Sequence, residues 1–360
     1  MNTPNTSPES KKLDVEAFLD LGQRYPIIDV RTPAEYDKGH IPGAINIPLF
    51  SNEERAMIGT LYKQVGQNEA MLLGLDLVGP KMRGLIEQVQ AVAVERTVLF
   101  HCWRGGMRSE SVAWLVGLFG YQTYTLQRGY KGFRNYVLQT LATPRQIFIL
   151  GGKTGSGKTE ILRELQQRGQ QIIDLEALAH HKGSAFGALG EACQPTQQQF
   201  EHELAERWGQ IDPQRPVWLE DESRNIGYLS IPLAVWQQMQ QATTLFVEVP
   251  ALWRNRYLVE EYGRFPLPAL KDAVERLQKR LGRRNMQTAL NALEANDLTT
   301  CCDILLRHYY DKTYVRSLSR RDAAVVHHIE LDSIDPARNA DHLLAFVDDT
   351  LPHGPISFNK

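Results

Sequence analysis

The octapeptide Gly152-Lys-Thr-Gly-Ser-Gly157-Lys158-Thr159 constrains this chain more than any other feature, because it satisfies G-x-x-x-x-G-K-[ST] in full. An apolar run that reads as a strand, Gln146-Ile-Phe-Ile-Leu150, precedes it, and a helical pattern opens near Thr159. In such a loop the glycines Gly152, Gly155 and Gly157 let backbone N–H groups wrap a diphosphate. Lys158 neutralises its oxygens, and the Thr159 hydroxyl can ligate magnesium. Further parallel strands must flank this unit. Ile172-Ile-Asp174, Val217-Trp-Leu-Glu220 and Leu245-Phe-Val-Glu-Val249 supply them. The second of these runs into Glu220-Asp221-Glu222, where Asp221 or Glu220 is expected to be the magnesium-side carboxylate, with Asp221 taken as the site residue. The motif asks for a diphosphate held with a cation. A nucleotide would serve, and so would an organic diphosphate whose leaving group is pyrophosphate.

A second strand–loop–helix unit lies upstream. Tyr25-Pro-Ile-Ile-Asp-Val30 and Thr97-Val-Leu-Phe-His-Cys102 read as strands, and Ser109 to Leu118 as a helix. Between them stands Cys102-Trp-Arg-Gly-Gly-Met-Arg108-Ser109. Loop N–H groups and the start of the following helix favour an anion there, and Arg104 and Arg108 add full charges. Such a cradle stabilises a thiolate, or an anion bound to the sulfur. His101-Cys102-x-x-Gly105-x-x-Arg108 suits a phosphatase, in which cysteine attacks phosphorus and arginine holds the phosphate oxygens. The same loop suits a sulfur carrier of the rhodanese type, and the residues alone leave both open.

The chain has 360 residues, 42% hydrophobic and 23% charged, which is the balance of a globular protein of about two domains. Four cysteines, two of them the adjacent pair Cys301 and Cys302, are too few for a disulfide framework and point to a reducing compartment, the cytoplasm. Neither an apolar leader nor a run of about 18 apolar residues is present, so no membrane association is expected. The paired histidines His180-His181 and His327-His328 lack metal-ligand partners at convincing spacing, and no structural zinc is expected. Cys193, Cys301 and Cys302 read as core or incidental. Although the net charge is only -2, a basic run (Arg276, Lys279, Arg280, Arg283, Arg284) falls in a helical stretch. There Val274, Leu277 and Leu281 share a face, continued by Leu290 and Leu293. A solvated helix face explains such a run, and so does contact with an anionic polymer. The organisation expected is an α/β domain over 13–140, a P-loop α/β domain over 145–250, and a helical, basic portion over 251–350.

Asp29-Val-Arg31-Thr-Pro-Ala-Glu35-Tyr-Asp-Lys-Gly39-His40-Ile-Pro-Gly43-Ala44-Ile-Asn46-Ile-Pro48 resembles the rhodanese fold's "DVR…E…GHIPGA.N.P" stretch. The fold class implied is a rhodanese-like α/β domain followed by a P-loop NTPase-like α/β domain. That pairing, the tryptophan after Cys102, the stretch Gly129-Tyr-Lys-Gly-Phe-Arg134 and Glu222-Ser-Arg-Asn-Ile-Gly227 resemble the tRNA 2-selenouridine synthase family over nearly the whole chain.

The resemblance implies a transferase with two steps on the wobble 2-thiouridine of tRNA. Geranyl diphosphate first alkylates the sulfur; selenium from selenophosphate then replaces the geranylthio group. Lys158, Thr159 and the carboxylates near Asp221, with magnesium, would carry the first step. Cys102 would take up selenium as an S–Se anion shielded by Arg104 and Arg108. A protein supplying selenophosphate would be a further partner. With tRNA as substrate, Arg224, Arg254, Arg256, Lys279, Arg280, Arg283 and Arg284 become candidates for phosphate contacts. Trp253, Tyr257, Tyr309 and Tyr310 become candidates for stacking an unpaired base, although core packing explains each singly. Three other readings differ in chemistry: an ATP-dependent kinase fused to a sulfur carrier, a phosphatase using Cys102 and Arg108, and a regulatory protein whose first domain is inert.

Overall fold

The computed structural model describes residues 10–318 and 321–350. The chain divides into two compact units, one of the residues up to 140 with 201–205, the other of 141–200 and the residues from 206 onward.

The first unit is built on five parallel strands, β1 (Lys11–Leu13), β2 (Ile27–Asp29), β3 (Ile45–Asn46), β4 (Thr97–His101) and β5 (Gln122–Leu126), in the order β1-β5-β4-β2-β3. The expected strands are the neighbouring interior pair β2 and β4, because burial on both faces writes them as unbroken apolar runs. Ile28, Leu99 and Phe100 are fully buried. Two others escape that signal: the edge strand β1 carries Lys11 and Lys12, and β5, paired between β1 and β4, reads Gln-Thr-Tyr-Thr-Leu. Helices Met82–Val92 and Met107–Gly117 cover the sheet through Leu85, Ile86, Val89, Val112, Ala113 and Val116.

The second unit has five parallel strands, β6 (Ile147–Gly152), β7 (Gln171–Ile172), β8 (Val217–Glu220), β11 (Thr243–Glu248) and β12 (Val326–Glu330), in the order β12-β11-β6-β8-β7. A two-stranded antiparallel ribbon, β9 (Asn225–Ile226) with β10 (Leu229–Ser230), turns at Gly227, whose φ is +62°. β6 and β8 are buried along their length, and each expected strand is present to within two or three residues.

From Ala251 to Leu318 the chain is helical. Val274, Leu277, Leu281, Leu290 and Leu293 share one core with the buried thiols of Cys301 and Cys302. The expectation of a helical portion running to residue 350 does not hold. β12 returns to pair with β11 through five register positions, and helix Pro336–Thr350 packs on the helix that follows the P-loop. Val-His-His-Ile-Glu conceals this edge strand, since two central histidines blur the apolar alternation.

Candidate active sites

The P-loop connects β6 to helix Lys158–Gln167. Gly155 and Gly157 adopt φ of +82° and +72°, so both use the freedom of glycine. A Cβ on Gly155 would stand 2.8 Å from the Arg254 carbonyl oxygen, which shows how closely helix Ala251–Tyr262 presses on the loop. The Ser156 hydroxyl donates to the Lys153 carbonyl at 2.7 Å and closes the turn. Lys158 is buried, and its ammonium reaches the Gly152 carbonyl at 3.3 Å. Burial alone would depress it; Tyr314, Glu220, Glu176 and Glu222 outweigh burial and raise it above the usual lysine range, so it stays charged.

The Thr159 hydroxyl donates to Glu220 Oε1 at 2.7 Å. Asp221 does not share that position. Successive side chains at a strand end point to opposite faces, and the Asp221 carboxylate turns to Arg321 at 2.5 Å, both side chains buried. Glu220 rather than Asp221 therefore stands beside Thr159, and Asp221, expected as metal ligand and diphosphate contact, is instead paired with Arg321. Carboxylate oxygens of Glu176, Glu220 and Glu222 lie within 4.8 Å of one another. Burial raises the pKa of all three; Glu220 adds to the rise at Glu176 and Glu222, and Asp174 and Glu160 add to it at Glu220. So crowded a set holds a proton or a cation. With the Thr159 hydroxyl it is an all-oxygen donor set, the kind that suits magnesium. Glu176 was not expected from sequence, and Glu222 was expected only as part of the acidic element after β8. Both follow the ends of parallel strands, where sites of such sheets form, and that position is the signal that could have found them.

These groups open onto a cavity of about 1090 Å³. One side is the P-loop and the carboxylates, another is aromatic (Tyr257, Tyr262, Tyr309, Tyr314), and the remainder includes Arg276, Lys279 and Arg280. Lys158 Nζ lies 5.7 Å from the centre of the Tyr314 ring.

The expected RNA-contacting arginines divide. Arg254 is 2% exposed and forks onto Asp311 with two bonds of 2.9 Å, while Nη1 also reaches the Thr154 carbonyl at 3.2 Å. It braces the P-loop and is no surface phosphate contact; the sequence signal misled because a buried, fully paired arginine and a free one read alike. Arg256 is exposed with its guanidinium over Trp253, and Arg224, Arg283 and Arg284 are exposed away from the cavity. Only Arg280 of the six lines it. Tyr310 belongs to the helical core, and Trp253 packs against the core beside β11.

In the first unit Cys102 follows β4, 3% exposed, with its Sγ 3.2 Å from the Ser109 hydroxyl. The Cys102 and Trp103 carbonyls accept from Tyr130 N at 2.9 Å and Lys131 N at 3.0 Å, at the start of helix Gly129–Ala142. In a trans peptide the N–H points opposite to its C=O, so the N–H groups of Trp103 and Arg104 face the other side of the loop. Two glycines permit this close backing. A Cβ on Gly105 would lie 2.4 Å from the Leu126 carbonyl oxygen, and one on Gly129 would lie 2.3 Å from that of Cys102. Arg104 is exposed, whereas Arg108 forks onto Glu35, Nη1 to Oε2 at 2.9 Å. Glu35 also accepts from Thr32 N in a capping box, so Arg108 is anchored to helix Pro33–Asp37. Below the loop, buried Arg31 grips Asp29 at 2.6 Å, donates to the Gly39 carbonyl and stacks on Tyr130, 3.7 Å from the ring centre. The residues of the "DVR…GHIPGA" stretch thus support the loop.

A cysteine loop on one parallel sheet and a P-loop with its carboxylates on another define a two-module enzyme, a rhodanese-like domain joined to a P-loop domain. Residues 14–136 match the rhodanese-like domain family, and residues 145–339 match the family described as the tRNA 2-selenouridine synthase AAA domain. The tRNA 2-selenouridine synthase of Bdellovibrio bacteriovorus is 33% identical over 359 residues, covering 84% of this chain and 92% of that protein. That of Shewanella woodyi is 35% identical over 339 residues, covering 84% and 90%. The chain belongs to the tRNA 2-selenouridine synthase family and is an enzyme, a transferase.

Proposed function

We propose that the chain converts the wobble 2-thiouridine of tRNA to 2-selenouridine through an S-geranyl intermediate. The observation that carries this reading is the Thr159–Glu220 hydrogen bond beside a charged, buried Lys158 at the head of a cavity of about 1090 Å³. That volume lies just above the ~300–1,000 Å³ usual for small-molecule pockets and has room for an organic diphosphate and a second reactant.

In the first step the thiocarbonyl sulfur attacks C1 of the geranyl group. The C–O bond breaks, and its electron pair leaves with pyrophosphate. Lys158 and the loop N–H groups are placed to take up that charge as it develops. Magnesium held by Thr159 and Glu220 would add further neutralisation of the leaving group. The Tyr257 and Tyr262 side of the cavity suits the apolar chain.

In the second step selenium from selenophosphate attacks C2, the C–S bond breaks and geranylthiol departs; water then takes the phosphoryl group from selenium. Carriage of selenium on Cys102 as an S–Se anion would be a two-electron oxidation requiring an external acceptor, whereas direct attack balances without one. Cys102, Arg104 and the backed loop are therefore assigned to holding the selenium donor. Arg108, forked on Glu35, supports that loop and counts against the phosphatase reading.

The test is mass spectrometry of nucleosides after incubation with 2-thiouridine tRNA, magnesium and geranyl diphosphate, with and without selenophosphate. A geranyl adduct that becomes 2-selenouridine only with selenophosphate is expected. Unmodified tRNA in both arms would overturn the proposal.

A further inference from the structure

Arg276, Lys279 and Arg280 occupy one helical face, spaced i, i+3 and i+4 across helices Leu267–Arg276 and Gln278–Leu281, and all three are exposed while lining the P-loop cavity. Among the described residues none of the three is paired with a carboxylate. Arg280 bonds instead to the Tyr309 hydroxyl at 3.0 Å. Tyr309 lies in the π-helical turn Leu306–Tyr310; both of its tyrosines reach the cavity, Tyr310 buried as part of the helical core and Tyr309 half-buried at its edge.

From this arrangement we propose that Arg276, Lys279, Arg280 and Tyr309 form the lip by which an RNA strand presents one base to the P-loop cavity. The inference rests on the reading of that cavity as the alkylation site. Its electrostatics sort the parts of a nucleotide. Three unneutralised cations on a single face match successive phosphates of a single strand. Deeper in the cavity the P-loop and Lys158 are taken up by the diphosphate, whose own charge keeps a second phosphate at the rim. A neutral base crosses that boundary, and the Tyr309 ring offers a surface on which it can stack. The exposed pair Arg283 and Arg284, just beyond the lip and off the cavity, carries the same charge without this geometry.

The full chain is used throughout, with 2-thiouridine tRNA as the probe. In Arg276→Gln/Lys279→Gln/Arg280→Gln, the slope of log Kobs against log salt for tRNA binding should fall by about 2, at ~0.7 for each lost single-strand phosphate contact. The KM for tRNA should rise tenfold or more, and that for geranyl diphosphate should stay within about twofold. Tyr309→Ala should weaken tRNA about tenfold, with Tyr309→Phe close to wild type. Arg283→Gln/Arg284→Gln should leave slope and KM unchanged. If the triple variant, matched to wild type in unfolding midpoint, keeps its slope and its KM for tRNA, the lip is overturned. It is equally overturned if the KM for geranyl diphosphate rises in place of that for tRNA. Wild type that binds tRNA with the expected slope and forms no geranyl adduct would sink the alkylation reading alone.

Discussion

Arg254 and Asp311 join two parts of the second unit by a fork of two 2.9 Å hydrogen bonds, with the arginine side chain 3% exposed. The same guanidinium holds the Thr154 carbonyl, so the P-loop is tied to helix Asp311–Leu318, which also sets Tyr314 against Lys158. A neutral residue at 254 leaves a carboxylate without its partner and a loop without its brace. Arg254→Leu should lose about 3 kcal/mol of stability by urea unfolding. Arg254→Lys keeps the charge but not the planar fork. It should fold, and raise the KM for geranyl diphosphate more than it lowers kcat.

Glu220 and Asp221 are adjacent, and their replacements should fail differently. Glu220→Gln removes the partner of Thr159, and geranylation should slow by about a hundredfold, the order seen when one group that stabilises a developing charge is lost. Asp221→Asn strips a buried charge from Arg321, so it should destabilise by about 3 kcal/mol with kcat changed only a few-fold. Chelation should abolish geranylation in wild type, and magnesium should restore it. Rates and thermal midpoints measured on both variants separate the roles.

The contact of Gly129 with the cysteine loop makes a local prediction. The Cβ of Gly129→Ala would meet the Cys102 carbonyl oxygen at 2.3 Å, so the loop must shift. Selenation should fall at least tenfold, and geranylation should persist, as it should in Cys102→Ser. Quantifying the S-geranyl intermediate and 2-selenouridine in the same reaction checks both. If both products vanish together, the division of labour between Cys102 and Lys158 is wrong.

His101 is fully buried, with Nε2 3.6 Å from Asp29 Oδ2, and burial holds it down to about 4 despite the nearby carboxylate. Unfolded, it would accept a proton near its ordinary value of 6.5. The unfolded state therefore binds more protons between those limits. The contribution of neutral His101 is complete above pH 6.5 and is lost as pH falls towards 4, in total about 3 kcal/mol at 1.36 kcal/mol per unit. Asp29, whose pKa is lowered because His101 and Arg31 outweigh its burial, adds a loss of the same sign at lower pH. Amide protection in β2 and β4 should decline over that window. His101→Asn should flatten the decline.

Two parallel-sheet units, the P-loop and the cysteine loop are legible in the order of the residues alone. Each of these is a contiguous segment whose conformation follows from its own glycines, apolar run and helix start. The apolar face of Val274, Leu277 and Leu281 is equally legible, because helical periodicity is local. The choice of Glu220 over Asp221 as the partner of Thr159 came from folding, since it turns on which way one strand end faces. Folding also decided that Arg254 is a buried brace and Arg280 a cavity residue, although both read as basic helix positions. Glu35 reaching Arg108, Glu176 joining Glu222 and β12 closing the second sheet are pairings across tens of residues or more. The chain path between such partners is set by packing of the whole core, so no short pattern announces them.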